Sequence, residues 1–192
     1  MTVPLVSLRA DMIHPSHFAA LFPTLGPAAI NRLRNCARLS MRLAGQISGP
    51  SAIPCDAEAA GPERLALLSP ERIEEAGRFM GATWHGRTLQ ACIDPGYVSE
   101  LDAQLGRAVR RFGLRHAALT AADGPPGSPG ELVNAIVLAG RACLVAWHGQ
   151  LSGPYQHLAT LKLPAHGLPA AAPADKAQPI IEQVLREVAD AR

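Results

Sequence analysis

The sequence predicts a mainly α fold, an irregular multi-helix globular domain, and three observations carry that expectation. Apolar residues recur at spacings of three and four in one segment after another. Aromatic residues make up only 4% of the chain, so the core must be aliphatic and rich in alanine, the strongest helix former. Proline- and glycine-rich stretches punctuate the periodic segments at GPSAIPCDAEAAGP (49–62), DGPPGSPG (123–130) and PAHGLPAAAPADKAQP (164–179). A chain of 192 residues can bury roughly 70% of its unfolded surface, so no covalent staple is required.

From the N-terminus, His14-Pro15-Ser16-His17-Phe18 reads as a turn into a short helix ending near Phe22. Gly26-Pro27 opens a longer helix with the ladder Ile30, Leu33, Ala37, Met41 and Ala44. Arg32, Arg34, Arg38 and Arg42 then fall mostly on its outer surface, and Gly49-Pro50 ends it. Residues 49–62 read as a loop or short linker. Ser69-Pro70-Glu71 is a helix start with a mechanism, because serine caps free amides, proline suits the first turn and the acid complements the dipole.

The ladder Ile73, Gly77, Met80, Trp84 follows, and Gly77 and Gly81 leave a flat groove that a neighbouring helix backbone can approach closely. The pattern resumes after Gly86 with Leu89, Cys92 and Ile93 until Asp94-Pro95-Gly96 stops it. The next ladder is Val98, Leu101, Leu105, Val109 and Phe112, with Arg107, Arg110, Arg111 and Arg115 on its other faces and beyond its end. DGPPGSPG is expected as an exposed loop, since its prolines and glycines cannot continue a helix.

Residues 131–149 are the most apolar stretch, interrupted by Asn134 and Arg141, and read as a central buried helix rather than a membrane span. HLATLKL, within 155–163, alternates like a strand, and a short β-hairpin or edge strand is expected there. The domain organisation expected is a helical body over 1–163, a Pro/Ala-rich linker over 164–179 and a closing amphipathic helix over 180–192. That helix carries Ile180, Ile181, Val184, Leu185 and Val188.

Charge and cysteine usage narrow the function classes. The net charge of +2 is too small for a general polyanion binder, yet its distribution is uneven. Four arginines and no acid lie between Met12 and Cys55, whereas 56–75 holds six acids and two arginines. Cys36, Cys55, Cys92 and Cys143 are too far apart in sequence for a zinc motif. The start MTVPLVSLRADM lacks an export-type pattern, so a cytoplasmic protein with reduced thiols is expected.

No catalytic constellation emerges. His14 and His17 are separated by Pro15 and have no third ligand near in sequence, so no metal is expected. His85 and Cys92 are seven residues apart, about 10 Å along a helix, which is beyond the reach of a nucleophile and its base. Trp84 and Cys92 are therefore read as packing residues. There is no G-x-S-x-G, no P-loop and no G-x-G-x-x-G, and no cofactor is expected. The arginine sets 32/34/38/42 and 107/110/111/115 lack the aromatic interleaving of single-strand binders and read as solvated faces or as a surface for an acidic partner.

Three stretches carry a family resemblance: IHPS (13–16), FMGATWHGRTLQACI (79–93) and LGRAVRRFGLRHA (105–117). Together they resemble the SctK (YscK-like) family of bacterial type III secretion accessory proteins, over roughly residues 8–150. The resemblance implies a cytoplasmic, non-enzymatic adaptor of the sorting platform, peripheral to the membrane through protein contacts. Its implied partners are the inner-membrane ring protein (SctD-like) and the pod protein (SctQ-like), and through the latter the stator and export ATPase. Neither a small-molecule substrate nor nucleic acid is expected. The family supplies no catalytic residues. From charge alone, the partner-binding surface expected is that of Arg107, Arg110, Arg111 and Arg115. Two other classes remain open: a small helical enzyme using His85 or His148 as acid/base, and a nucleic-acid-binding regulator whose affinity falls with salt.

Overall fold

A computed structural model describes residues 5–6, 8–48, 53–54, 59, 61–122, 124 and 127–188. Eleven α-helices are present among them, as the mainly α expectation requires. The chain divides into two compact units. Unit 1 comprises Met1–Ile73 with Gln150–Leu168, and unit 2 comprises Glu74–Gly149 with Pro169–Arg192.

Unit 1 contains α1 (Pro15–Leu21), α2 (Pro27–Arg34), α3 (Ala37–Ser48), α4 (Glu63–Leu67) and α10 (Gly153–Lys162). It also has a 3-10 turn at Ala10–Met12 and a minimal antiparallel ladder that pairs Leu5 with Pro54 and Val6 with Ile53. Its apolar centre gathers Ala10, Ile13, Phe18, Ile30, Ala44 and Leu161.

Polar groups tie the N-terminal segment down. Ser40 Oγ accepts from Ala10 N at 2.9 Å, and the Leu161 carbonyl accepts from His14 N at 2.9 Å. Ser16 Oγ accepts from Ala165 N at 2.8 Å. Lys162 is wholly buried and donates from Nζ to the carbonyls of Ala66 and Leu68, both at 2.7 Å. It thereby satisfies free acceptors at the C-terminal end of α4.

Unit 2 contains α5 (Pro70–Trp84, from Glu74 onward), α6 (Gly86–Ala91), α7 (Pro95–Leu105), α8 (Arg107–Arg115), α9 (Pro129–His148) and α11 (Ala174–Val188). Ala82, Leu89, Leu101, Leu105, Val109, Leu132 and Ile136 form its core, flanked by Phe79, Cys92, Tyr97, Leu114 and Val133.

The glycine groove expected on α5 is present and α9 fills it. A Cβ on Gly81 would be driven into the Ile136 carbonyl oxygen, and one on Gly140 into the Gly77 carbonyl oxygen. The two helices cross backbone to backbone there, an approach open only to glycine. Gly113 on α8 makes a less extreme approach to α5, with the Ala82 carbonyl oxygen 2.5 Å from the position its Cβ would occupy.

The helix over 131–149 is observed as α9, which begins at Pro129 under a capping box. Ser128 Oγ accepts from Glu131 N at 3.3 Å, while the Glu131 carboxylate accepts from Ser128 N at 2.7 Å. By length and composition α9 could cross a membrane, with a mean hydropathy of 1.4. In the structure one of its faces is buried through Leu132, Ile136, Gly140, Cys143, Leu144 and Trp147.

Several expectations require correction. The stretch 155–163 is not a strand or hairpin but most of α10. Ser152-Gly153-Pro154 supplies a helix start, and Tyr155, Leu158, Ala159 and Lys162 are buried at helical spacing, which outweighs the alternation of HLATLKL. The helix expected from Gly26 to Ser48 is two helices, broken at Asn35 and Cys36. Arg34, expected outside, is buried on the same face of α2 as Ile30, one turn before it, and the break resets the register of α3, so that Met41, expected inside, is 66% exposed.

The ladder from Val98 to Phe112 is likewise divided, at Gly106, whose φ of 93° requires glycine. Ile93, read as apolar ladder, is 86% exposed at the turn before α7. The closing helix begins at Ala174, within the stretch read as linker, and takes in Pro179. The five-residue α4 had no counterpart in the reading of the sequence. Most of the 49–62 loop and part of 123–130 lie outside the described residues.

Candidate functional site

In unit 2 the four arginines singled out by charge fall on one helix. Arg107, Arg110, Arg111 and Arg115 all belong to α8, whose inner face buries Val109, Phe112 and Gly113. They are not equivalent. Arg110 grips Asp102 of α7 in a fork, with Nε 2.6 Å from Oδ1 and Nη2 3.2 Å from Oδ2. The Arg110 guanidinium holds the Asp102 carboxyl below its ordinary pKa, against the smaller opposing effect of burial, and Arg107 and Arg111 add to the lowering.

Arg115 donates from Nη1 to Glu187 Oε2 of α11 at 3.0 Å. His116 Nε2 lies 2.8 Å from the other oxygen of the same carboxylate without making an aligned hydrogen bond. Arg107 and Arg111 are exposed and reach no carboxylate within ion-pair distance among the described residues. The basic face thus comprises two anchored arginines and two that are open to a partner.

The Trp84, His85, Cys92 corner separates into distinct parts. His85 sits at the break between α5 and α6, and the Trp84 carbonyl just before it accepts from Ala121 N and Ala122 N, both at 3.1 Å. Cys92 packs against the unit 2 core and donates from Sγ to the Thr88 carbonyl at 3.2 Å. Burial pushes its thiol pKa up, so it is not an activated nucleophile.

His85 lines a cleft of about 210 Å³ together with Thr88, Glu131, Leu132 and Ala135. Burial lowers its pKa, partly offset by a hydrogen bond to the Ala135 backbone. Glu131, the carboxylate on that wall, is committed to capping α9. Thr88, the hydroxyl among the named lining residues, donates to the Gly124 carbonyl at 3.4 Å, and the cleft holds an imidazole with no free carboxylate beside it among those residues.

The His14 and His17 pair of unit 1 is occupied by structural work. His14 Nδ1 accepts from Ser16 N at 3.2 Å and caps α1, and His17 Nε2 lies 3.1 Å from the carbonyls of both Thr160 and Leu163. No group of three or more His, Cys, Asp or Glu able to hold a metal occurs among the described residues.

Buried Arg34, which the sequence placed outside, bonds the Asp11 carbonyl at 3.0 Å and Glu71 Oε1 at 3.4 Å, beside a polar cleft that Asn31, Asn35 and Ser69 also line. Arg32, Arg38 and Arg42 remain on the surface of α2 and α3. What distinguishes Arg34 from these three is its place four residues after the buried Ile30, on the inner face of α2.

Comparison with known proteins adds two findings. The family model described as YOP proteins translocation protein K (YscK) matches residues 4–191. Among named proteins, the chain is similar to the nodulation protein NolU of Rhizobium fredii, at 34% identity over 147 residues, which cover 76% of this chain and 67% of that protein. It is also similar to NolU of Sinorhizobium fredii (strain NBRC 101917 / NGR234), at 34% identity over 139 residues, 72% of this chain and 64% of the relative. The matched region thus spans about two thirds of each relative. No solved structure matches.

Proposed function

The chain belongs to the YscK family and is a type III secretion-related protein, and from that premise we propose that it acts as a non-enzymatic adaptor of the secretion sorting platform. In this reading it works in the cytoplasm, at the inner face of the inner membrane once assembled. It joins the inner-membrane ring protein (SctD-like) to the pod protein (SctQ-like), and through the latter to the stator and export ATPase. No cofactor or small-molecule substrate takes part. The relatives' names tie them to nodulation, and service in a host-associated bacterium belongs to the same proposal.

The observation that carries the reading is the split among the α8 arginines. Arg110 and Arg115 are bound internally and brace the helix against α7 and α11, so Arg107 and Arg111 are presented with no carboxylate within ion-pair distance among the described residues. Charge displayed in this way favours rapid and specific association with an acidic surface.

The test is affinity purification of the tagged full chain from its native host under secretion-inducing conditions, after mild crosslinking, with mass spectrometry of the recovered proteins. The pod protein, stator, export ATPase and inner-ring protein are expected together. Recovery of none of them with intact, folded bait overturns the adaptor reading.

One observation favours a second reading, a small helical enzyme, because His85 lines a cleft. A His85→Gln variant that folds and sustains secretion normally removes it.

A further inference from the structure

A second surface, in unit 1, has the makings of an interface, and its least expected member is a glycine. Of the glycines inside helices, Gly77, Gly81, Gly113 and Gly140 each sit where a Cβ would collide with a neighbouring element, so each has a structural reason to be glycine. Gly45, in the body of α3, is exposed, and a Cβ there would meet nothing within 4 Å. Glycine in a helix interior costs stability relative to alanine, and no contact among the described residues offsets that cost.

The residues around Gly45 point outward in a consistent way. Met41 and Arg42 lie one turn before it and Arg38 two turns before it on the same face, opposite the buried Ser40 and Ala44. Met41 is 66% exposed, and Leu39, at the margin, is exposed as well. Arg38 and Arg42 reach no carboxylate among the described residues, and α2 and α3 contain no acidic residue. Arg32, on the adjoining α2, is exposed and donates only to the Ala28 carbonyl of its own helix. Other arginines of the same unit are paired, Arg9 with Asp11 and Arg34 with Glu71.

We propose that the Arg38, Met41, Arg42, Gly45 face of α3 is a docking site for an acidic amphipathic helix of a partner protein, whose backbone crosses α3 at Gly45. The chain uses the same device internally where α5 and α9 cross at Gly81 and Gly140. The unpaired guanidiniums supply the charge complement, and exposed Met and Arg are the residue types that protein interfaces enrich. A lipid surface fits less well, because α3 has committed its continuous apolar stripe to the unit 1 core and offers only Met41 and Leu39 for insertion. The inference extends the adaptor reading by giving unit 1 a binding face of its own, but it rests on the residues of α3.

The experiment places a photoreactive benzophenone amino acid at Met41 of the full chain in its native host and maps the crosslinked species by mass spectrometry. It is repeated in a Gly45→Ala background and in an Arg38→Glu, Arg42→Glu background, with thermal melts of each protein. A crosslinked segment with acids and apolar residues at helical spacing is expected. Its yield should fall several-fold in Gly45→Ala, although that protein melts at a higher temperature, and should be lost in the double charge reversal with the fold intact.

Crosslinks to lipid, to nucleic acid or to a segment without acids overturn the proposal, as does a yield that neither variant changes. If the affinity purification recovers the secretion components while Met41 crosslinks nothing, this face fails and the adaptor reading stands. If an acidic helix is captured at Met41 but those components are not recovered, the reverse holds.

Discussion

Gly81 and Ile136 meet backbone to backbone, with no room for even a methyl group between the glycine Cα and the isoleucine carbonyl oxygen. Alanine at position 81 must therefore push α5 and α9 apart and disturb the packing of Ala82, Leu132 and Ile136 beside the crossing. Gly81→Ala is expected to destabilise the protein by about 2–3 kcal/mol, as overpacking of a close contact does, despite the gain in helix propensity. Urea melts of the full chain measure it, and a variant as stable as the parent would show that the crossing can relax.

Gly106 is glycine for a different reason. Nothing lies within 4 Å of the position a Cβ would occupy, but φ is 93° where α7 hands over to α8. Gly106→Ala is expected to cost about 1–3 kcal/mol through backbone strain alone. Because α8 carries the basic face, a change in partner recovery alongside the altered melt would show that this kink sets the orientation of the arginines.

Lys162 gives a pH dependence with a definite sign. Burial lowers its pKa from 10.5 to about 8, so between those values the unfolded chain holds a proton that the folded chain has released. Stability from this group is flat below pH 8 and rises with pH through the window. The two carbonyls it bonds favour the ammonium and limit the gain, which is expected to reach at most about 3 kcal/mol relative to a Lys162→Met control. Denaturant midpoints of the two proteins compared from pH 7 to pH 10.5 test it.

Arg107 and Arg111 should separate binding from folding. Reversing both to Glu is expected to leave the unfolding free energy within about 0.5 kcal/mol while the recovery of secretion partners falls. Arg110→Ala, by contrast, leaves Asp102 without its fork and is expected to cost about 1 kcal/mol of stability as well. Equal loss of stability in both variants would contradict the division between anchored and presented arginines.

What the sequence could reveal follows from how local the deciding interactions are. Residues 131–149 are legible as a helix from their apolar repeats alone, although the Ser128-Pro129 start of α9 lies in the stretch read as loop, and the Gly77/Gly81 groove is legible because the spacing itself defines the surface. HLATLKL was misread because a seven-residue alternation also satisfies a helix once Tyr155 and Lys162 enter the count. The helix α4 is short, and the group that satisfies its end, Lys162, is 96 residues from Ala66, so no local pattern announces it.

The candidate site shows the same division. Charge identified the arginines of α8, but whether each one is anchored depends on Asp102, eight residues from Arg110, and on Glu187, 72 residues from Arg115. Arg34 looks like Arg32, Arg38 and Arg42 by charge, but it shares the buried face of α2 with Ile30 and pairs with Glu71, 37 residues away.

The division into two units carries a consequence for the order in which the protein can be made. The polypeptide passes from unit 1 to unit 2 at Ile73, returns at Gln150 and leaves again after Leu168. The segment around residues 10–18 contacts its partners at Thr160, Leu161, Leu163 and Ala165 only after nearly all of the intervening chain has been synthesised. Unit 2 waits longer still, because Glu187, which holds Arg115, is made 72 residues after it. A ribosome building this protein must therefore keep two unfinished cores open at once, each completed only by a segment made after a stretch of the other.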